Sequence, residues 1–437
     1  MPRTVLTFRP GFAGRASAHR TLIRGVGLFA LLAAALPARA AEVTRLVSAG
    51  DDNDPYDVNV SLAYRRSTRQ ARLVREGLSA AGQVVREKDQ LFRQTRNIMD
   101  VRADVGVLPD LGLFLHLPLV LSDDRSLSFD GTNASTSSLL RDGIVPGFGQ
   151  ASYGLDANNE SALVSPSDRT FVGPTRNGLE WLAFGFAWGM LNQSRVPSEP
   201  TWMLALEARV DVSKAMRFDP ARPKANTSVG RGYHQLVAST MVSRRFGPLE
   251  PYLGGWYMFP IKTATSPFKP VGLGGNAFAN PQHQSRLVAG VEATVWERPA
   301  DQQAISLELQ LHMENRFLGL ARGELWEPLS GSSLCPGTTT ACRPGLDDRD
   351  ITGDGINDRN AGITRSPSYG IFGADLGLNV RAGEFVRFRG LFGMTVEQGR
   401  FLTDGRSGYS VLDSPGRRFY VKDAYGFHLL LDGAVLF

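Results

Sequence analysis

Hydrophobic and polar side chains alternate along many short stretches of this chain. In the last thirteen residues, Tyr425–Phe437, one parity is aromatic or aliphatic and the other mixes small and polar groups. The segment Leu111–Leu121 places six leucines at every second position. Side chains of a strand point alternately to its two faces, so a period of two predicts β-strands with one apolar face.

The same pattern predicts twelve strands within residues 56–437, most of them about ten residues long or longer, the length that a tilted strand needs to cross a bilayer. Their predicted connections alternate between short turns and long loops. The short turns centre on Pro109, Val196, Gly247, Pro299 and Gly383, and the long loops cover residues 66–96, 122–177, 213–231, 263–283, 317–367 and 398–424. Outer-membrane barrels have short periplasmic turns, longer external loops and an even strand number. We therefore predict an all-β fold, a single transmembrane antiparallel up-and-down β-barrel. A secreted β-sandwich explains any one strand but not the alternation of loop lengths.

Residues 1–40 have the pattern of a secretory signal peptide. A long basic head precedes the apolar run Gly25–Leu36, and Ala38-Arg39-Ala40 is a small-x-small cleavage site. Twelve apolar residues are too few for a membrane helix. We expect cleavage after Ala40, with residues 41–55 as a periplasmic lead-in. A start codon downstream of Met1 would shorten the long head.

The leader also accounts for the basic charge of the chain. Removing the six arginines of residues 1–40 from 48 basic residues leaves 42, against 43 acidic residues, so the mature chain is close to neutral. This balance argues against nucleic acid as a partner.

The C-terminal strand ends on Phe437, which resembles the signal read by the machinery that assembles bacterial outer-membrane barrels. Outer-membrane lipids and lipopolysaccharide are the other expected partners. The basic stretch Arg65–Arg96, partly helical by its pattern, would offer cations to lipopolysaccharide phosphates. An ordinary solvated loop explains the same stretch.

The predicted hairpin Val101–Leu121 combines a tight Pro109-Asp110 turn with the ending Leu-Pro-Leu-Val-Leu. It resembles the outer-membrane barrel transporters grouped with phenol-degradation pathways, with weaker support from Gly178–Trp188. The resemblance implies a pore or uptake barrel located in the bacterial outer membrane, and it names no substrate.

Charged and polar residues concentrate on the predicted inward parity. They are Asp100, Arg102, Asp104, His116, Glu207, Arg209, Asp211, Arg286, Glu292, Glu308, Gln310, His312, Glu314, Asp375, Arg387, Arg389, His428 and Asp432. Such groups either line a pore that attracts polar solutes or form ion pairs that fill a narrow lumen. The sequence leaves both interpretations open.

The predicted loop 317–367 holds two further candidates. Asp350, Thr352, Asp354 and Asp358 have the alternating oxygen ligands of a calcium loop, with Ala361 where an EF-hand has its bidentate glutamate. Calcium is the one cofactor expected, and a solvated acidic loop is the alternative. Cys335 and Cys342, the only cysteines, are expected to form a disulfide in an exported protein.

His283 and Ser285 form a His-x-Ser motif on the outward parity of one predicted strand. The motif resembles that of twelve-stranded outer-membrane phospholipases, in which the histidine activates the serine. The asparagine expected to orient the histidine is not apparent from the sequence. We therefore expect a channel or uptake barrel for small solutes rather than an enzyme. A non-conducting structural or surface-binding barrel is the alternative, and a lipid hydrolase is a distant third.

Overall fold

In the computed structural model of the protein, the described residues are 41–44, 58–131, 169–217, 226–268, 280–330, 362–403 and 418–437. Their strands, in chain order, are β1 (Val58–Leu78), β2 (Val84–Leu108), β3 (Leu111–Phe129), β4 (Arg169–Val172), β5 (Arg176–Leu179), β6 (Leu182–Leu191), β7 (Thr201–Val210), β8 (Tyr233–Ser243), β9 (Leu249–Lys262), β10 (Gln284–Arg298), β11 (Gln303–Arg316), β12 (Gly319–Ala321), β13 (Thr364–Ser366), β14 (Tyr369–Ala382), β15 (Val386–Glu397), β16 (Arg400–Phe401) and β17 (Phe419–Leu436). One short α-helix, α1 (Trp326–Ser330), follows β12, and single 3-10 turns span Glu42–Thr44 and Pro299–Asp301.

Twelve of these strands form a closed antiparallel barrel, as the sequence predicts. Their order round the wall is β1, β2, β3, β6, β7, β8, β9, β10, β11, β14, β15 and β17, and β17 pairs back with β1. The closing ladder runs from Asn59 opposite Leu436 to Arg75 opposite Phe419. Closure leaves the wall without a free edge, which a sheet in lipid requires.

Among the described residues, no helix has both the length and the hydropathy of a membrane-spanning helix.

The wall is inverted relative to a soluble protein. On β11, Leu307, Leu309 and Leu311 are 51%, 46% and 58% exposed, whereas the polar residues between them are buried. The same outward apolar parity runs through β3, β14 and β17. An apolar belt of this kind faces lipid, and the polar parity faces the lumen.

The first predicted loop is wrong. Residues 66–96 belong almost entirely to β1 and β2, which are joined by residues 79–83. Opposite charges lie side by side across this hairpin, with Arg75 opposite Glu87 and Glu76 opposite Arg86. Such cross-strand pairs stabilise the two strands. In the sequence alone, the high density of charged residues resembles a solvated loop or a helix. The predicted loop 122–177 also contains strand, because β3 continues to Phe129 and β4 and β5 pair with it.

The long strands rise beyond the apolar belt at one end of the barrel, which we call the loop end because the long connections leave from it. The opposite end, with the connections at Pro109, Gly247 and Gly383, is the turn end. At the loop end many buried side chains are apolar, among them Leu73, Phe92, Leu127, Phe171 and Val421, and they lie beside buried charged groups. Most of the large buried apolar side chains therefore lie at the loop end, and a smaller apolar cluster of Ala41, Tyr252 and Val288 lies at the turn end.

The lipid-facing belt predicts a position-dependent effect of charge. Leu376, in the middle of β14, is 63% exposed, and Leu78, at the tip of β1, is 64% exposed. Leu376→Arg should destabilise the folded barrel in lipid by about 2–4 kcal/mol because it places a cation in hydrocarbon. Leu78→Arg should be near neutral because its site is in water. Reversible urea unfolding in lipid vesicles measures both, and equal effects would contradict a belt at the height of Leu376.

The C-terminal aromatic predicts an assembly defect. Phe437 and Phe385 lie at the turn end and are 67% and 58% exposed. Phe437 N donates to Val58 O at 2.8 Å, and Leu436 N donates to Phe385 O at 2.8 Å, so both aromatics flank the last strand. Phe437→Ala should reduce folded barrel in outer membranes several-fold if assembly reads the last residue. Phe385→Ala removes the same ring from the same rim and should assemble normally. Heat-modifiable electrophoretic mobility quantifies the folded form, and equal levels for both variants would count against a terminal signal.

Candidate functional site

The middle of the lumen wall holds a carboxylate between two imidazoles. Asp375 lies 3.1 Å from His312 Nδ1 and 2.9 Å from His428 Nε2 through different carboxylate oxygens. Gln310 Nε2 donates to the same carboxylate at 3.1 Å. His312 and Asp375 come from the neighbouring strands β11 and β14, whereas His428 comes from β17, two strands further round. The cluster therefore ties together separate parts of the wall, and it stabilises a buried charge.

Two glycines make room for this cluster. A Cβ at Gly373 would overlap the His312 imidazole, and a Cβ at Gly393 would overlap the Asp375 carboxylate and the His428 imidazole. Both glycines have the inward parity of their strands, so their lack of a side chain is what lets the larger groups lie across the wall. Within the described residues, no group of three or more His, Cys, Asp or Glu side chains has an arrangement that would hold a metal ion.

A second charged layer lies nearer the turn end. Glu308 is fully buried and accepts hydrogen bonds from Tyr252 Oη at 2.6 Å and from Arg389 Nη2 at 2.9 Å. Asn379 Nδ2 lies 3.4 Å from the same carboxylate. These partners come from β9, β15 and β14, so one glutamate connects four strands of the wall. Asp432 is the register partner of Arg389 on β17.

Most of the other charged residues expected on the lumen face form ion pairs. The pairs are His116 with Asp100 (3.0 Å), Arg102 with Asp104 (2.6 Å), Arg209 with Glu207 (2.7 Å), Arg316 with Glu314 (2.5 Å), Arg286 with Asp375 (3.6 Å) and Arg387 with Glu42 (2.8 Å). Asp211 is different, because it lies just beyond β7 and accepts hydrogen bonds from the backbone of Arg231 and Gly232. It orders a loop-end connection rather than the wall.

The loop end of the lumen is occupied by a segment that we call the cap, residues 322–327. Leu325 and Trp326 of the cap are buried, as are Glu324 and Glu327. Arg322 donates to the backbone carbonyls of Arg231 at 2.9 Å and Met216 at 2.9 Å. The cap therefore packs beneath the connections that surround this mouth.

Arg176, the first residue of β5, anchors the cap through Glu327. It is completely buried, and its Nη2 donates to Glu327 at 2.7 Å. Its other N–H groups reach the backbone carbonyls of Asn226 at 2.6 Å and Ser228 at 3.2 Å. The fork of five donors in a guanidinium suits such a junction between several segments.

The Glu324 carboxylate joins the cap to the strands on the other side. Its Oε1 lies 2.5 Å from Arg69 Nη2 and 2.5 Å from Arg400 Nη2, and Arg69 also binds Glu397. Burial raises the pKa of Glu324, but the guanidinium groups of Arg400 and Arg69 outweigh burial, so its pKa lies below that of an ordinary glutamate. The ionised carboxylate is therefore the form that holds the cap.

The turn end of the lumen is occupied by residues 41–44. Ala41 and Thr44 are buried there, and Thr44 Oγ1 lies 2.7 Å from Ser243 Oγ on β8. Glu42 forms an ion pair with Arg387 on β15 at 2.8 Å. The expected periplasmic lead-in thus begins inside the barrel mouth.

A cavity of about 240 Å³ lies in the lumen beside the seam between β1 and β17. It is bounded by Arg69, which contacts the cap, and by His428 of the central cluster. Ser67, Gln94 and Thr395 contribute polar groups to its lining.

The other expected sites have different outcomes. The calcium candidates Asp350, Thr352, Asp354 and Asp358, and the cysteines Cys335 and Cys342, lie outside the described residues. His283 Nδ1 lies 2.8 Å from Tyr257 Oη, and among the described side chains it has no hydrogen bond with Ser285. Asn315 is the register partner of Ser285 on β11, a neighbour that sequence order hides.

Most arginines of the stretch Arg65–Arg96 have partners within the barrel. Arg65 pairs with Asp100 at 3.2 Å, Arg72 with Asp130 at 2.5 Å and Arg96 with Glu180 at 2.7 Å. They mainly hold the wall and its loop end together.

No family model and no curated protein matches this chain. Solved structures similar to it include an outer membrane channel from Pseudomonas putida F1, with 12% identity, a TM-score of 0.40 and coverage of 89% of this chain and 100% of that chain. A Pseudomonas aeruginosa FadL homologue has 6% identity, a TM-score of 0.32 and coverage of 87% and 90%. The toluene transporter TodX of P. putida has 8% identity, a TM-score of 0.30 and the same coverage of 87% and 90%. At these TM-scores the likenesses assign no substrate to this chain.

The closed antiparallel wall, the lipid-facing belt and the polar lumen together are the features of barrels in bacterial outer membranes. The chain is an outer-membrane β-barrel. Its loop end is accordingly external and its turn end periplasmic.

The depressed pKa of Glu324 predicts a pH-dependent cap. A carboxyl group whose folded pKa is lowered stabilises the folded form above its unfolded pKa, about 4.3 for glutamate, and this stabilisation is lost as pH falls through the folded pKa. The cap should therefore stay closed at neutral pH and loosen only below about pH 4.

Glu324→Gln should loosen the cap already at pH 7, by about 1–3 kcal/mol, because buried guanidinium groups lose part of their compensation. Hydrogen exchange of residues 322–327, corrected for intrinsic rates, measures this opening. Glu384→Gln, an exposed residue of the turn-end connection at Gly383, is the control. Unchanged exchange in Glu324→Gln would mean that the carboxylate does not hold the cap.

Proposed function

We propose that this barrel is a gated conduit for small polar solutes across the outer membrane, closed in the conformation described. One observation carries the proposal: both mouths of the lumen hold short segments that are not strands of the wall. The cap and residues 41–44 are attached to the barrel mainly by ion pairs and hydrogen bonds of side chains. Such attachments open without breaking the backbone ladder of the wall.

The lumen surface supports polar rather than apolar cargo. Its inward parity carries carboxylates, guanidinium groups and imidazoles, among them Glu308, Arg389 and His428. Rings of charged side chains are a common basis of selectivity in channels. The small cavity beside Arg69 favours small solutes, and opening of the cap would connect it to the outside.

A non-conducting structural barrel is the competing function, and the pairing of the lumen charges favours it. The carboxylates of Asp375 and Glu308 each have donors from other strands, as in a network that only fills the bore. The two functions differ in what cap release does. A conduit gains permeability, whereas a filled barrel does not.

Planar-bilayer recording separates the two functions. The intact protein should give rare, small unitary currents, and Glu324→Gln combined with Trp326→Ala should increase open time at least about tenfold, as expected for a gate weakened by about 1.4 kcal/mol or more. Glu384→Gln, in an exposed periplasmic turn, should behave as the intact protein.

Ion selectivity provides the second measurement. Arg389→Gln in the cap-loosened background removes one cation from the wall, so the ratio of anion to cation permeability should fall. If no variant gives unitary currents although each shows the heat-modifiable mobility of the folded form, the structural barrel is favoured instead. A permeability ratio that Arg389→Gln leaves unchanged would mean that the solute path does not pass the layer of Glu308 and Arg389.

A further inference from the structure

The backbone of residues 41 and 42 is held by two glutamates at the periplasmic mouth. Ala41 N lies 2.5 Å from Glu250 Oε1, and Glu42 N lies 2.9 Å from Glu292 Oε2. Glu250 is on β9 and Glu292 is on β10, so the two carboxylates are neighbours across one strand pair and are in register with each other. Glu250 is buried, with a relative exposure of 6%.

These two carboxylates differ from the other acids nearby. Glu42 pairs with Arg387 at 2.8 Å, Glu297 with Arg245 at 2.7 Å and Glu308 with Arg389 at 2.9 Å. Among the described residues, no lysine, arginine or histidine nitrogen lies within 4.0 Å of the carboxylate of Glu250 or Glu292. Their other donors are hydroxyl groups, Ser243 to Glu250 at 2.6 Å and Ser306 to Glu292. Two carboxylates buried side by side stay ionised only with a cation nearby, because neutral donors alone compensate ionised carboxylates poorly.

The backbone nitrogen of Ala41, which contacts Glu250, would become positively charged when the signal peptide is removed. The small-x-small motif Ala38-Arg39-Ala40 predicts cleavage of the bond before Ala41. Hydrolysis of that peptide bond adds water, leaves a carboxylate on Ala40 and converts the amide nitrogen of Ala41 into an amine that is protonated at neutral pH. We propose that the mature chain begins at Ala41 and that its α-ammonium is the missing cation, bound by Glu250 with Glu292 beside it.

The surroundings of Ala41 fit a fixed chain end. Its methyl group packs with Tyr252, Val288 and Met241 in a small buried cluster, which leaves no room for a large side chain. Thr44 closes the turn through its N–H and Oγ1, both bonded to Ala41 O at 2.9 Å and 3.2 Å. The precursor has only a neutral amide at this place. The periplasmic mouth is therefore locked electrostatically only after the leader has been removed.

Chemical reactivity of the α-amine tests this lock without relying on solute passage. The protein purified from outer membranes is sequenced from its N-terminus and then acylated at pH 7 with an amine-reactive ester, in the folded and the unfolded state. We expect Ala41 as the first residue and acylation at least about tenfold slower in the folded protein, because each unit of raised amine pKa lowers the free amine tenfold. Lys88 and Lys422 of the same molecule serve as internal references.

Matched variants distinguish two reasons for slow acylation of the Ala41 amine, which are its ion pair with Glu250 and its burial. Glu250→Gln keeps the shape of the site and should restore most of the acylation rate, and Glu292→Gln should restore part of it. Asp301→Asn, in an exposed periplasmic turn, should leave the rate low. Arg387, Glu42, Glu308 and Arg389 also face this mouth, so the variants are compared at the same pH and salt.

A second variant covers the case in which Glu250→Gln fails to fold. One extra alanine inserted between Ala40 and Ala41 moves the new amine by up to about 3.5 Å and should expose it to acylation. A first residue other than Ala41 would overturn the proposal. So would an acylation rate of the folded native protein equal to that of Glu250→Gln or of the insertion variant.

Discussion

The pairing of the first and last strands is the constraint on which the rest of this molecule depends. In hydrocarbon no water satisfies an unpaired N–H or C=O group, so a membrane sheet must have no edge. The ladder from Asn59–Leu436 to Arg75–Phe419 removes that edge, and it needs the final residues of the chain. The same closure encloses a lumen, and each inward side chain must then find its partners inside a narrow space.

The polar lumen follows from that enclosure. A soluble domain keeps its charges outside, whereas here the outside is lipid and the charges are collected within. Carboxylates such as Asp375 and Glu308 are stabilised because donors from other strands reach them. Glycines 373 and 393 allow those donors to cross the wall. Packing, electrostatics and lipid exposure are thus parts of one arrangement.

The sequence was sufficient for the barrel, its strand number and the facing of strands such as β11, because alternation over ten residues is a strong local signal. It misled us at residues 66–96, where charges paired across β1 and β2 resemble a solvated loop. The cap was also missed. Glu324, Arg69 and Arg400 are far apart in the chain, and only the register of the wall and the fold of one connection bring them together. Long-range ion pairs leave no periodic trace in a single sequence.

The layered ion pairs of the lumen also constrain how this protein can diverge. Loss of one partner leaves a buried charge uncompensated, at a cost of about 3–5 kcal/mol, whereas replacement of a whole pair can be nearly neutral. Glu308 and Arg389 lie on β11 and β15, which β14 separates, so viable descendants must change both positions together. Leucines of the lipid face, such as Leu309, exchange freely with other apolar residues. In a lineage of such barrels, the lumen therefore evolves by correlated substitutions between strands and the outer face by independent drift.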